Sequence, residues 1–299
     1  MVKVLVLGAT GFIGFAVAQA LAHSGHETYG LYRKREKEKE LAKNEIFPVS
    51  GDTNDVSTWK VVAEQVDIII DATSEYNDPI KHVTNIIDTL EEISMKRIKN
   101  CEPKLTFIYT SGLWIYGGYS YNVNYESTPL KTNIKLDQWR PAIEQMIINS
   151  QIVNGIVIRS GAAYGKNGSL TAQWFESAIK GELYGIGTKD VRWNLVHVDD
   201  LADAYVRAVE RSELVKGQIF IITNNQSESM GEMLDAVARI TDHIGHVKYK
   251  VPTTDFEIAM AHTGIFSNKK AQTILGWKQR HLSFVDGINT WWNSYRAYI

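Results

Sequence analysis

The sequence holds a single cysteine, Cys101, among 299 residues. One thiol excludes an internal disulfide framework and fits a reducing compartment, where a buried, inert thiol is the expected state. An excess of either charge is also missing: Lys and Arg number 32 against 34 Asp and Glu. That balance argues against nucleic acid or an anionic membrane as the main partner. No apolar run approaches the ~18 residues that a membrane helix needs. His-Glu-x-x-His, paired Cys-x-x-Cys and EF-hand spacings are absent, which leaves a metal centre unsupported, and His243 and His246 bring no further ligand signature. The Gly-x-Ser-x-Gly elbow of serine hydrolases is absent too. The opening Met1-Val-Lys-Val-Leu-Val-Leu lacks the long apolar region and small-residue cleavage site of a secretory signal. Cytoplasm is therefore the expected location, and the Asn-x-Ser matches at Asn167 and Asn225 carry no weight.

What is present reads as an ordinary globular chain, 44% hydrophobic and 22% charged, long enough for one large domain or a main domain with a smaller lobe. Val2 to Leu7 forms an apolar run, Ile13, Ala16, Val17, Ala20 and Leu21 follow at helical spacing, and Glu27 to Tyr32 is strand-like. That is a βαβ unit. Further strands are predicted at Glu45 to Val49, Asp67 to Asp71, Leu105 to Thr110 and Gln151 to Arg159. Helices are predicted at Val56 to Gln65, Pro79 to Ile98 and Trp139 to Ser150. The alternation implies an α/β fold, a doubly wound parallel sheet of Rossmann type with a smaller C-terminal substrate lobe. The expected division is 1–164 plus 190–222 for the dinucleotide-binding domain and 165–189 plus 223–299 for the lobe. A strand at Arg192 to Val198 precedes a helix for which Asp199 is the expected N-cap. The tail, with Leu275-Gly-Trp277 and Trp291-Trp292, reads as short helices packed on the lobe. Lys34 and Glu38, at helical spacing, read as a solvated pair.

Gly8, Gly11 and Gly14 lie between the first strand and the first helix. In that context Gly8 allows a tight turn, Gly11 lets backbone approach a pyrophosphate, and Gly14 permits close helix packing, while the helix N-terminus attracts negative charge. The cofactor is decided after the second strand, where an acid would bind the ribose hydroxyls of NAD and repel a 2′-phosphate. No acid stands there. Arg33, Lys34 and Arg35 do, and Arg33 is expected to hold the phosphate of NADP, with NAD as the lesser alternative and a solvated helix face as the bland one.

The spacing Gly-x-x-Gly-x-x-Gly resembles the extended short-chain dehydrogenase/reductase family, including its NAD-dependent epimerase/dehydratase branch. So do Gly51-Asp52, Ala72, Thr110-Ser111, Tyr116-Gly117, Arg159 with Tyr164-Gly165, Val196 to Asp200, and Leu275-Gly-Trp277. The resemblance implies that Thr10, Phe12 and Ile13 join the glycines at the cofactor, that Asp52 contacts the adenine with Thr53 beside it, and that Ala72 and Thr73 line the site. It also implies catalysis by a Ser or Thr, a Tyr, and a Lys four residues after the Tyr. This chain departs from that set: alignment on Glu144 puts Arg140 at the Lys position and Leu136 at the Tyr position, and Gly112 stands where the hydroxyl is expected, with Ser111 one place early. Leucine has no proton to give, and arginine stays charged at any relevant pH.

The expected catalytic residues are therefore Tyr116, Ser111 and Arg140. Tyr116 is chosen from the group Tyr116, Tyr119, Tyr121 and Tyr125 as a relocated acid. Arg140 either binds the nicotinamide ribose or pairs with Glu144. Tyr164 and Lys166 stand at the lobe's entrance, facing substrate or packing the loop. Three functions fit: an NADP-dependent oxidoreductase acting on a small organic substrate, an NADP(H)-sensing binding protein, and an epimerase, isomerase or lyase on the same fold.

Overall fold

The computed structural model describes residues 1–74, 77–117, 121–131 and 133–299. Seven strands, β1 (Lys3–Leu7), β2 (Glu27–Tyr32), β3 (Phe47–Ser50), β4 (Ile68–Asp71), β5 (Thr106–Gly112), β6 (Asn154–Ser160) and β7 (Gln218–Ile222), form one sheet. Its order is β7-β6-β5-β4-β1-β2-β3, and every pairing is parallel. Because side chains alternate across a strand, consecutive apolar residues must enter two separate cores. Val4, Val6, Ile68, Ile70, Ile156 and Ile158 pack on one face with helix α1 (Phe12–His23) and helix Val198–Glu210. Leu5, Leu7, Ile69, Phe107 and Val157 pack on the other with helices Pro79–Lys99 and Arg140–Asn149. The strand order reverses between β1 and β4, and the cleft above that switch point is where open α/β sheets bind ligands.

A third core stands beside the sheet. Trp174, Phe175, Trp193, Leu195, Met230, Leu234, Phe284 and Trp291 fill it, from helices Ala172–Ile179, Met230–Ile240 and Ile288–Arg296 and strand Arg192–His197. That strand joins the two bodies, since Leu195 enters the lobe core while Val196 enters the sheet core. It pairs with Ala162–Tyr164 and Ser227–Ser229 in a three-stranded sheet. Among the described residues, no helix is long and apolar enough to cross a membrane.

Several local expectations are corrected. The predicted helix from Val56 to Gln65 is a 3-10 turn, Val56–Thr58, and a short helix, Lys60–Ala63, broken where Trp59 turns fully inward. Asp199 is not the N-cap of its helix. His197 is, accepting from the Asp199 N–H at 3.2 Å. Lys34 has no ion pair with Glu38, and Lys37 meets Glu40 instead. Cys101 is exposed with φ of +59°, because it follows the end of a helix that stops at Lys99. Leu275 and Trp277 pack into the sheet core, not the lobe, with the Trp277 indole donating to the Asp200 carbonyl at 2.8 Å.

Candidate functional site

The cleft begins at the turn after β1. Gly8 has φ of +80°, and a Cβ there would lie 2.7 Å from the Ala72 carbonyl oxygen. A Cβ on Gly14 would lie 2.1 Å from the Gly8 carbonyl oxygen, so α1 rests directly on the turn. Gly11 is its N-cap and offers no side-chain partner to the first-turn N–H groups, which remain for an anion. A cavity of about 630 Å³ opens above them. Gly8, Thr10, Gly11, Phe12 and Ile13 line it together with Arg33, Thr53, Ala72 and Thr73. Gly14 lies beneath this surface as a packing residue. Asp52 does not line the cavity: its Oδ1 accepts from the Asn54 N–H at 2.9 Å and its Oδ2 stands 3.9 Å from Arg33 Nη1. The Arg33 side chain is 71% exposed, which leaves its guanidinium accessible. This cradle fits a dinucleotide: crowded glycines bring backbone N–H groups to a helix start above which the cavity opens.

A polar chain runs along the cradle from buried Asp71 to exposed Asn54. Asp71 Oδ1 accepts from the Thr73 N–H at 3.0 Å and from its hydroxyl at 2.6 Å. Thr73 Oγ1 also meets His82 Nε2 at 2.8 Å, and His82 Nδ1 meets Asn54 Oδ1 at 2.8 Å. Burial pushes the Asp71 carboxyl above its ordinary range. His82 and Asn54 line the cavity, and no local sequence motif marks either of them.

The cavity continues through Ala72, Thr73 and Ile13 into a second space of about 230 Å³. Ser111, Gly112, Leu136, Asp137 and Arg140 line it. Ser111 is 4% exposed, and its Oγ has no hydrogen-bond partner among the described residues. Arg140, at the first turn of its helix, donates from Nε to Asp137 Oδ1 at 2.8 Å and from Nη1 to the Tyr109 hydroxyl at 2.8 Å. Burial works against its charge, but Tyr109 and Asp137 outweigh it and raise the pKa further. Asp137 is the one carboxyl lining this space among the described residues. Its Oδ2 would lie 3.8 Å from a Cβ on Gly112, so it occupies the neighbourhood where a hydroxyl was expected.

Tyr116 stands elsewhere. It is 3% exposed, its hydroxyl donates to the Tyr125 carbonyl at 3.0 Å and accepts from Arg159 Nη1, and its ring meets Phe266 edge-on at 5.1 Å. Burial pushes its phenol up to about 12. It lines neither cavity, so the geometry does not bring it to Ser111 and Arg140. Tyr119 lies outside the described residues, and Tyr121 and Tyr125 are exposed. Glu144 does not pair with Arg140. It forms a buried ion pair with Arg159, Oε2 to Nη2 at 2.5 Å, because its side chain points into the sheet. Tyr164 is buried in the lobe core, with its hydroxyl bonded to the Leu282 carbonyl and to Asn224. Lys166 holds Asp199 at 2.6 Å. Neither lines the cleft.

His197, Asp199 and His281 place ligand-type atoms within 4.8 Å of one another. The two rings, however, stack at 3.8 Å and 13°. Lone pairs in parallel planes do not converge on one ion, and the Lys166 ammonium already occupies Asp199.

A model of the NAD dependent epimerase/dehydratase family matches residues 4–223. UDP-glucose 4-epimerase of Lactobacillus helveticus is 23% identical, covering 99% of this chain and 98% of its own length. 2-alkyl-3-oxoalkanoate reductase of Shewanella oneidensis is 22% identical over 83% of this chain and 68% of its own. The crystal structure of dTDP-glucose 4,6-dehydratase from Bacillus anthracis in complex with NAD superposes with a TM-score of 0.80 at 17% identity, covering 99% of this chain and 97% of that one. At such identities the structural likeness establishes the fold.

Proposed function

From the premise that the chain belongs to the NAD dependent epimerase/dehydratase family, we propose that it is an NADP-dependent oxidoreductase acting on a small organic carbonyl compound or the corresponding alcohol. One observation carries this reading: the dinucleotide-sized cavity runs into a space where a buried, unpartnered Ser111 hydroxyl sits beside an Arg140–Asp137 ion pair. A buried hydroxyl without a partner costs stability, and a ligand oxygen would remove that cost. Bound in the cradle, a nicotinamide dinucleotide supplies or accepts the hydride. Gly8, Gly11 and the start of α1 hold the pyrophosphate, Arg33 the 2′-phosphate, and Arg140 a ribose hydroxyl through Nη2, which makes no hydrogen bond among the described residues. Ser111 Oγ donates to the substrate oxygen as charge develops on it. Asp137, held by Arg140 Nε at 2.8 Å, orients that arginine toward the cofactor ribose, and the substrate oxygen exchanges its proton with solvent through the open cleft. The curated reductase among the relatives, a 2-alkyl-3-oxoalkanoate reductase by name, supports carbonyl chemistry on this scaffold.

The purified protein should bind NADPH more tightly than NADH, and Arg33→Ala should weaken NADPH about tenfold while leaving NADH within twofold. Equal loss for both cofactors would remove the NADP assignment. Leu136 at the position of the family tyrosine favours a second reading, a sensor that binds NADPH without turnover. NADPH absorbance settles the choice: its decay with any carbonyl substrate eliminates the sensor, and tight binding without decay across a broad screen establishes it.

A further inference from the structure

Past Ser111 the cleft opens through Gly112, Ser160 and Gly161 into a third space of about 170 Å³. That is below the ~300 Å³ at which drug-sized ligand sites begin. Its walls are Leu113, Trp114, Leu170, Trp193 and Phe266, and the rings are held from behind. Trp193 stacks on Trp174 at 5.6 Å and donates its indole N–H to the Met260 carbonyl at 2.9 Å. Trp114 meets Phe256 edge-on at 5.8 Å, and Phe266 rests on Tyr116. Walls fixed in this way form a preorganised slot rich in aromatic surface.

Three polar side chains of the slot, Arg192, Asn194 and Ser160, already have partners. Arg192 donates from Nε and Nη2 to Ser227 and has Glu232 at 3.6 Å as counterion. Asn194 accepts the Phe266 N–H at 3.0 Å and donates to the Gln226 carbonyl at 3.4 Å. Ser160 donates to the Gly161 carbonyl at 2.7 Å. Burial lowers the His262 pKa below its ordinary value, which keeps its imidazole neutral near pH 7. A diphosphate placed here would meet no uncompensated cation and would have to displace Glu232 from Arg192.

We propose that this slot selects a small, uncharged carbonyl compound with a flat apolar body, an aryl ketone or aldehyde, and rejects nucleotide-linked sugars. The proposal rests on the oxidoreductase reading and names its substrate class. The apolar body lies between Trp114, Trp193 and Phe266, which turns the carbonyl back through the Gly112–Gly161 opening toward Ser111. In the reductive direction a hydride from bound NADPH would add to the carbonyl carbon, the C=O π pair would move to the oxygen held by Ser111, and that oxygen would take a proton from solvent, giving a secondary or primary alcohol and NADP⁺.

The test titrates the full chain, first without cofactor, with acetophenone, benzaldehyde and UDP-glucose, reading tryptophan fluorescence and calorimetry. Acetophenone or benzaldehyde should saturate and quench, and UDP-glucose should do neither. Trp114→Ala and, separately, the milder Phe266→Leu should weaken the aryl ligand about tenfold and about threefold, with thermal melting reporting that each variant folds. Tighter binding of UDP-glucose than of either aryl probe, or no aryl binding by a folded protein that binds NADPH, overturns the proposal. Failure of the oxidoreductase reading looks different: the aryl probes bind, yet added NADPH is neither bound nor consumed.

Discussion

The two ends of the cleft are built in opposite ways. At the cradle, three glycines within seven residues create the site, and what they present is backbone: first-turn N–H groups and close approach of α1 to the turn. At the reaction end the site is made of side chains. Ser111 comes from the end of β5, Asp137 from the 3-10 turn Lys135–Asp137, Arg140 from the start of the helix that follows, and the slot beyond from residues 113–114, 170, 192–194 and 262–266. A site made of backbone is written in consecutive residues, because glycine spacing alone sets its geometry. A site made of side chains is assembled only when distant strand ends meet.

The largest effect should come from breaking the backbone end. Gly14→Ala places a methyl 2.1 Å from the Gly8 oxygen, with no flexible side chain to yield. Either α1 lifts or the turn opens, and NADPH affinity should fall about 1,000-fold, with a stability loss of about 1–3 kcal/mol. Calorimetry with NADPH measures the first and urea melts the second. Unchanged affinity would mean that contact between α1 and the turn is not what shapes the cradle.

The seam that holds the lobe to the sheet should titrate. Burial, together with the His281 ring stacked upon it, holds His197 down at about 4. Below its unfolded value of 6.5, the unfolded chain therefore binds more protons than the folded one, and stability falls as pH drops from about 6.5 towards 4. The fully developed loss is roughly 2–3 kcal/mol. His281 has the opposite sign: its bond to Asp200 raises its pKa, so its contribution is complete below 6.5 and is lost as pH rises through its folded value. His197→Asn keeps an acceptor for the Asp199 N–H and should flatten the acid limb in urea melts between pH 4 and 7. An unchanged limb would assign acid sensitivity to other groups.

At the side-chain end, Ser111→Ala should lower kcat about 100-fold while leaving the NADPH Kd within twofold. It should also leave stability equal or slightly improved, since it removes a buried hydroxyl without a partner. Single-turnover NADPH oxidation in the presence of an aryl ketone measures the rate. A fall in NADPH affinity instead would make Ser111 part of the cradle and erase the division between the two ends.

The same division explains how much was legible. The parallel sheet and the glycine turn follow from periodicity and spacing, which are local properties. Arg140 was identified through resemblance, but its partner was not, because spacing of four residues suggested Glu144. A helix with one face against a sheet turns Glu144 inward to Arg159, and Arg140 is left to the carboxylate one turn before it. Asp137 carries no sequence signal for a related reason: it belongs to no family motif, and only the fold sets it beside Arg140 in the cleft. No sequence signal links Trp114, Trp193 and Phe266, which meet only because strand Arg192–His197 joins the lobe to the sheet.

Tyr116 gives the smallest expected change and the finest test of the division. Tyr116→Phe keeps the ring against Phe266 and under the Arg159 guanidinium, whose carbon lies 5.0 Å from the ring centre. It removes a hydroxyl that donates to the Tyr125 carbonyl and accepts from Arg159. Arg159 retains Glu144, so the cost is mainly one unmet backbone acceptor, about 1 kcal/mol in a urea melt. The phenol does not line the reaction end, and kcat should therefore stay within about threefold, far from the ~100-fold loss that removal of a positioned acid brings. A loss of that size would bring Tyr116 into the chemistry and require the segment that carries it to swing its ring out of the cluster with Phe266 during turnover.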